Sequence, residues 1–388
     1  MINEPAPFEV NVPDEQLEDM RRRVRETRWA PDFGNEAWTY GVERGWLQDM
    51  ARYWSEEFDW RAQEATINSY PQFRVDIDGV PIHFIHVRGK GPNPRPIILT
   101  HGWPWTFWDW KDVIHRLADP AAHGGDPADS FDVVVPSLPG FGFSTPLTTT
   151  GVNARTVADL WVRLMSILGY DKFCAAGGDW GAIVTGELGH GHSDRITGVW
   201  LTLPMLPGDN LRLQPADFAD DEKWMVDQIA RARPHTISHR TLHRYEPQTI
   251  AYALADSPVG AAAWIWARRH YWSDNDGDVL AVFDRDFLCT TASIYWLTGS
   301  IASSLRMYYE QFRFGPPPAL HDRPRIIDVP TGFGVFPREL LFIPRSRAAE
   351  LTNLQRWSVL DAGGHFAPAE TPQVVADEIR SFFTSLPR

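Results

Sequence analysis

From Phe173 to Val184 the chain reads FCAAGGDWGAIV. A run of small apolar residues, the composition of a buried strand, meets two glycines, a carboxylate, a tryptophan and a third glycine before a helix-like stretch begins. Few folds accept such a sequence. A strand that turns into a helix within one or two residues holds its central residue in a strained conformation, and only small neighbours let that residue stand clear of the sheet. The stretch therefore asks for a buried parallel strand with a helix packed back against it. The carboxylate at the turn, Asp179, has two readings at this level. It caps the following helix, or it is a nucleophile, ionised at neutral pH and needing no base to activate it. The positive end of the helix behind it would help hold its charge.

The rest of the chain repeats the alternation. RPIILTHG and FDVVVPSLPG are continuous apolar runs ending at turn residues, as buried parallel strands do. TVADLWVRLMSILGY reads as a helix with Gly169 near its C-cap, and ITGVWLTLP as a further strand. Upstream, VPDEQLEDMRRRVRETRW carries Leu17, Met20 and Val24 at helical spacing, and VERGWLQDMARYWSEEFDW does the same with Trp46, Met50, Tyr53 and Trp54. FRVDIDGVPIHFIHVRG alternates around a DG pair, the signature of a hairpin. From about Met205 the pattern turns mostly helical and rich in Trp, Tyr and Arg until GPPPALHDRP, where the prolines mark a boundary. IIDVPTGFG and WSVLDAGGHF are strand-like again, and TPQVVADEIRSFFTSL closes the chain as a helix. The expected fold is α/β: residues 1–92 form an N-terminal helical and meander extension, residues 93–204 and 321–388 a mostly parallel core, and residues 205–320 a helical lid inserted into it. This is the plan of an α/β-hydrolase.

Composition narrows the function. The chain of 388 residues has a formal net charge of −13, which repels phosphate backbones and argues against nucleic acid. Eighteen tryptophans and 21 phenylalanines suggest an aromatic core and an aromatic pocket. Cys174 and Cys289 lie far apart in apolar contexts and read as buried free thiols, in keeping with a reducing cytoplasm. The opening MINEPAPFEVNVPDEQ has neither the basic nor the apolar region of a signal peptide, and no apolar run reaches the length of a membrane span, so a cytoplasmic protein off the membrane is expected. GHGHSD places His190 and His192 near Asp194, but the spacing fits no common zinc signature. GFGFS lacks the third glycine and helix start of a dinucleotide fingerprint, and Arg21 to Arg25 reads as a solvated helix face. No metal or organic cofactor is expected.

In an α/β-hydrolase the partners of the elbow residue follow in the order acid, then histidine. DAGGHFAPAETP puts His365 on a loop loosened by glycine after a strand, and PTGFGVFPRELL offers Glu339 after the strand before it. Asp361 and Glu370 are nearer in sequence, but Asp361 ends a strand and Glu370 begins the last helix. THGWPW follows the strand PIILT, where this fold builds one wall of an oxyanion hole. The backbone N–H groups of Trp103 and Trp180 would then converge on one spot, with Pro104 suited to a cis peptide.

HGWP, GGDWG, PTGFGVFPRE and GGHFAPAETP together resemble the epoxide hydrolases of microsomal type. FEVNVPDEQLEDMRRRVRETRW is similar to the N-terminal domain of that family, and DSPVGAAAW and GSIASSLRMYYE to its lid. The likeness runs over nearly the whole chain and points most closely to actinobacterial members, including those of enediyne antibiotic pathways. The membrane anchor of the animal enzymes is not expected in this chain. The resemblance implies a two-step hydrolysis of a small-molecule epoxide to a vicinal diol without cofactors. Asp179 forms an ester with the substrate, His365 oriented by Glu339 activates water, and the Trp103 and Trp180 amides hold the oxyanion. It also implies two lid tyrosines that assist ring opening. Tyr308 matches one, with Tyr309 as its neighbour. The other position falls on or near His239, a departure from the pattern, with Tyr245 and His243 as alternatives; as a surface helix residue, His239 would have no such role. Trp264, Trp266, Tyr271, Trp272 and Trp296 suggest a bulky aryl epoxide, or serve as core. A homodimer is left open.

Two rivals share the fold. A haloalkane or haloacid dehalogenase would use the same Asp, His and acid, with Trp180 gripping halide; the ring-opening donors speak for the epoxide. A binding protein that has lost catalysis would have kept the fold and shed the site, whereas nucleophile, acid, histidine and one donor are all here.

Overall fold

The computed structural model describes residues 4–207, 212–313 and 325–387. The expected boundary at GPPPALHDRP, with the division between residues 320 and 321, lies outside the described residues.

A nine-stranded sheet in the order β1-β2-β3-β5-β4-β6-β7-β8-β9 forms the centre. The chain enters through β1 (Ala6–Pro7), α1 (Asp14–Arg25), α2 (Arg44–Glu56) and α3 (Trp60–Asn68), then forms the hairpin β2 (Gln72–Ile77) and β3 (Val80–Val87). Next come β4 (Arg95–Thr100), α4 (Lys111–Ala118), β5 (Phe131–Pro136), α5 (Ala154–Ile167), β6 (Phe173–Gly177), α6 (Trp180–Gly191) and β7 (Ile196–Leu201). The strands up to β3 pair antiparallel, and β3 joins β5 antiparallel; from β5 to β9 all pairings are parallel. β4 and β6 sit in the middle with helices over them, which is why Ile97, Ile98, Leu99, Ala175 and Ala176 are wholly buried and read as unbroken apolar runs.

Between β7 and β8 the chain leaves the sheet for α7 (Lys223–Tyr245), α8 (Pro247–Asp256), α9 (Pro258–Trp272), α10 (Arg285–Leu297) and α11 (Ser300–Phe312). It returns through β8 (Ile327–Val335), α12 (Arg345–Leu351), β9 (Thr352–Val359), α13 (Ala367–Glu370) and α14 (Pro372–Thr384). Local chemistry sets these helices. α9 starts where the Ser257 hydroxyl accepts from the Gly260 amide with Pro258 in the first turn. α1 buries Leu17, Met20 and Val24, has Asp14 and Glu15 in its first turn and Arg22, Arg23 and Arg25 in its last. The N-terminal helices hold the insertion as well as the core. Tyr53 Oη donates to Asp286 at 2.7 Å, and Trp54 Nε1 to Ser293 Oγ at 2.9 Å.

Candidate active site

The strand-to-helix turn fixes Asp179 at φ +50° and ψ −125°, a conformation that a side-chain-bearing residue seldom adopts. Crowding explains its glycine neighbours. A Cβ on Gly181 would lie 1.9 Å from the Thr100 carbonyl oxygen, and one on Gly102 would lie 2.3 Å from the Asp179 side chain. The turn also decides between the two readings of the carboxylate. Asp179 does not cap α6 with its side chain; its backbone carbonyl accepts from Ala182 and Ile183 instead. The carboxylate Oδ1 accepts the Trp103 amide at 2.7 Å. The Trp180 amide opens α6, where the first N–H groups of a helix have no acceptor within it. The Trp103–Pro104 peptide is cis, as HGWP suggested.

Glu339 follows β8, and His365 follows β9. Both are wholly buried. The Nδ1–H of His365 donates to Glu339 Oε1 at 2.6 Å, and Nε2 lies 3.3 Å from Asp179 Oδ2. Burial alone would push the imidazole toward its neutral form, but the Glu339 charge and the Asp179 and Glu339 hydrogen bonds outweigh it, and the pKa rises to about 10. The rings of Trp105 and Trp272 flank His365 at 5.6 and 5.2 Å. Of the two other acids, Asp361 is exposed. Glu370 spends both carboxylate oxygens on the Asp274 and Phe366 amides, at 2.8 and 2.7 Å; burial still pushes its pKa up to about 7.

A cavity of about 400 Å³ opens in front of Asp179 and His365, and Tyr308 and His239 stand in its wall. Both are buried, at 4% exposure each, so His239 is not a surface residue. Their ring centroids lie 5.6 Å apart, and His239 stacks on Trp103 at 5.3 Å. Burial holds Tyr308 well above the usual phenol range, with the Asp179 charge adding to it. Burial likewise holds His239 well below the usual imidazole range, and His243, Arg268 and Arg240 press in the same direction. At neutral pH the cavity therefore presents a protonated phenol and a neutral imidazole to anything at Asp179, and both can donate a hydrogen bond. The alternatives lie elsewhere. Tyr309 and Tyr245 are exposed at 41% and 65%. His243 accepts from Trp264 Nε1 at 3.0 Å behind the wall.

The aromatic residues of the insertion divide between the two readings, pocket and core. Of the five named from the sequence, only Trp272 lines the cavity. Trp266 is buried against Trp46 and Trp54 and donates to the Leu288 carbonyl, and Tyr271 donates to the Trp38 carbonyl at 3.0 Å. Trp180, Ile183, Leu203, Met205, Phe312, Leu340 and Leu341 add apolar wall, and α7 adds Ile229 and Ile237 together with the polar Arg233, Thr236 and Arg240. Sequence reasoning passed over Leu340 and Leu341 although they follow Glu339 directly, and adjacency to a site residue was the available signal. Of the histidines that suggested metal, His190 bonds the Ile326 carbonyl and His192 bonds Asp159. Among the described residues, no group of three or more His, Cys, Asp or Glu could hold a metal ion, and no helix is long and apolar enough to cross a membrane.

Comparison with known proteins places this geometry in context. Residues 5–110 match a family model described as the epoxide hydrolase N terminus, and residues 95–240 match one described as the alpha/beta hydrolase fold. A protein of Stigmatella aurantiaca is 41% identical over 387 residues, covering 98% of this chain and 85% of that one. Epoxide hydrolase 1 of Oryctolagus cuniculus is 33% identical over 400 residues, covering 97% and 88%. The solved structure of Aspergillus niger epoxide hydrolase superimposes with a TM-score of 0.85 at 29% identity, over 99% of this chain and 97% of that one.

Proposed function

Since this chain belongs to the epoxide hydrolase family and has the alpha/beta hydrolase fold, we propose that it converts an epoxide to a vicinal diol through an ester on Asp179, with α7–α11 as the lid over the site. Asp179 Oδ1 is held by the Trp103 amide, which leaves Oδ2 to attack. Oδ2 bonds to a ring carbon while that carbon's bond to the epoxide oxygen breaks. The departing oxygen takes a proton from Tyr308, with His239 as the second donor; an unprotonated alkoxide would be a poor leaving group.

The ester changes the histidine. Once Asp179 is alkylated, its charge and its hydrogen bond no longer hold the His365 proton, which passes to solvent under the pull of burial and leaves the imidazole a base. His365 takes one proton from water, and the oxygen of that water bonds to the Asp179 carbonyl carbon. The tetrahedral oxyanion sits against the Trp103 and Trp180 amides. The ester C–O bond breaks, the product oxygen takes the proton from His365, and the second proton of the water restores Tyr308. Epoxide and water are consumed and a diol is formed; the restored Asp179 carboxylate lets His365 take back a proton from solvent, and every protein group is regenerated.

The observation that carries this reading is the orientation of Asp179: its carboxylate is held by the Trp103 amide and faces the cavity instead of capping α6. Trp180, Trp272 and Phe312 in the wall support a bulky aryl epoxide of the kind met in secondary metabolism. The buried free thiols Cys174 and Cys289 fit a reducing compartment such as the cytoplasm. The test is product analysis. Styrene oxide should yield its diol, and a chloroalkane should release no halide. Halide release without diol formation would assign the site to dehalogenation.

A further inference from the structure

The loop that carries His365 is fastened to the end of α9 by a set of bonds that the reaction itself does not use. The His365 amide donates to the Trp272 carbonyl at 2.9 Å, and the Gly363 amide to Asp274 Oδ2 at 2.9 Å. In the other direction, the Asp274 amide donates to Glu370 Oε2 at 2.8 Å, and Glu370 Oε1 accepts the Phe366 amide at 2.7 Å. Arg338 completes the circuit, with its guanidinium 3.3 Å from Asp274 Oδ1 and its amide donating to the Gly363 carbonyl at 3.1 Å. The approach is close by design of the chain: a Cβ on Gly364 would stand 2.8 Å from the Trp272 carbonyl oxygen, and Gly363 sits at φ +107°. Asp274 and Glu370 thus bracket His365 from both sides, each binding a backbone amide two residues before it or one after it.

We propose that Asp274 and Glu370 are positioning residues for the hydrolytic half of the reaction, holding His365 Nε2 at the Asp179 carboxyl while it takes a proton from water. The inference rests on the two-step reading above. Its specificity follows from which loop holds what. The nucleophile is set by the elbow and the Trp103 amide, so ring opening does not depend on the His365 loop. Proton transfer from water does, because a base must stay within hydrogen-bond reach of its proton, and a misplacement of about 1 Å costs roughly 10²-fold in rate. The chemistry of Glu370 is equally specific. Its two oxygens face two N–H donors, and only a carboxylate accepts on both sides; a glutamine would turn its own NH₂ toward one of them. Trp272 gives the clamp a reach toward substrate, since it supplies the carbonyl for the His365 amide and its ring lines the cavity.

The two half-reactions are separable by rapid-mixing single turnover with styrene oxide, with covalent enzyme followed by intact mass. In Glu370→Gln and in Asp274→Asn, ester formation should stay within about threefold of the parent while ester breakdown slows by roughly 10- to 100-fold, so that adduct accumulates. Glu370→Asp, which keeps both acceptors on a shorter stem, should fall between. Slowing of both steps by one common factor, or of neither, overturns the proposal and leaves the bonds a purely structural role. Should Glu370→Gln not fold, Asp274→Asn, whose side chain is 24% exposed, carries the same test. His365→Gln is run alongside: an adduct there with none in the clamp variants overturns the positioning role alone, and no adduct in any variant overturns the two-step reading beneath it.

Discussion

The two sides of the cavity are built differently. On the sheet side, Trp103, Asp179, Glu339 and His365 are joined by polar contacts of 2.6 to 3.3 Å, each residue on a loop at the end of a strand. On the insertion side, His239 and Tyr308 are held by ring packing against Trp103, Trp180 and one another. Hydrogen bonds fix a group to within tenths of an ångström and set its protonation state. Ring contacts fill space and tolerate rotation and substitution. The sheet side is suited to the covalent chemistry common to every substrate, and the insertion side to choosing which epoxide is presented and to assisting its opening.

Substitutions test that division. The largest effect belongs to the sheet side: Asp179→Ala should lower kcat by about 10⁴-fold or more in a diol-formation assay, because no other group in the cavity can replace the nucleophile. Next come the donors of the insertion. Tyr308→Phe and His239→Ala should each lower kcat/KM by roughly 10²-fold without accumulation of adduct in intact-mass spectra, since they act before the ester exists; an unaffected His239→Ala would remove the second donor from the account. Trp272→Leu should raise KM for aryl epoxides by up to about tenfold, while Trp296→Ala, away from the cavity, should leave KM within about twofold. Equal effects of the two would mean that the insertion aromatics act through packing alone.

The smallest effect is on stability. The His365 pKa, raised in the folded state to about 10 from its ordinary 6.5, contributes stability that is fully present below pH 6.5 and lost as pH rises through about 10. The thermal midpoint should therefore fall between these values, and the fall should be shallower in His365→Gln. An identical slope in the variant would show that the imidazole is not held protonated by Glu339 and Asp179.

The same division explains what could be read from the chain. Strand ends announce themselves, because a buried parallel strand is an unbroken apolar run and the turn after it needs glycine; Gly177, Gly178, Gly181, Gly363 and Gly364 marked the places where Asp179 and His365 stand. Chain order set Glu370 aside, and the reading of Asp361 as a strand end left Glu339; the structure adds that Asp361 is exposed and that Glu370 is occupied by two amides. The insertion was legible as helices but not as a wall. α9 buries residues around much of its circumference, so periodicity does not separate the face toward the cavity from the face toward α1 and α2. For that reason Trp266 and Tyr271 could be read as pocket or as core, while Phe312, which lines the pocket, gave no signal, and Leu340 and Leu341 gave only their place beside Glu339.

The central claim is that Asp179 becomes covalently bound to substrate and that His365 releases it. Intact mass and peptide mapping of His365→Gln after incubation with styrene oxide test it most directly. The account predicts a mass increase of one substrate, located on the peptide that contains Asp179 and absent from Asp179→Ala. Diol formation by His365→Gln at the parent rate with no adduct, or an adduct on another residue, would contradict it.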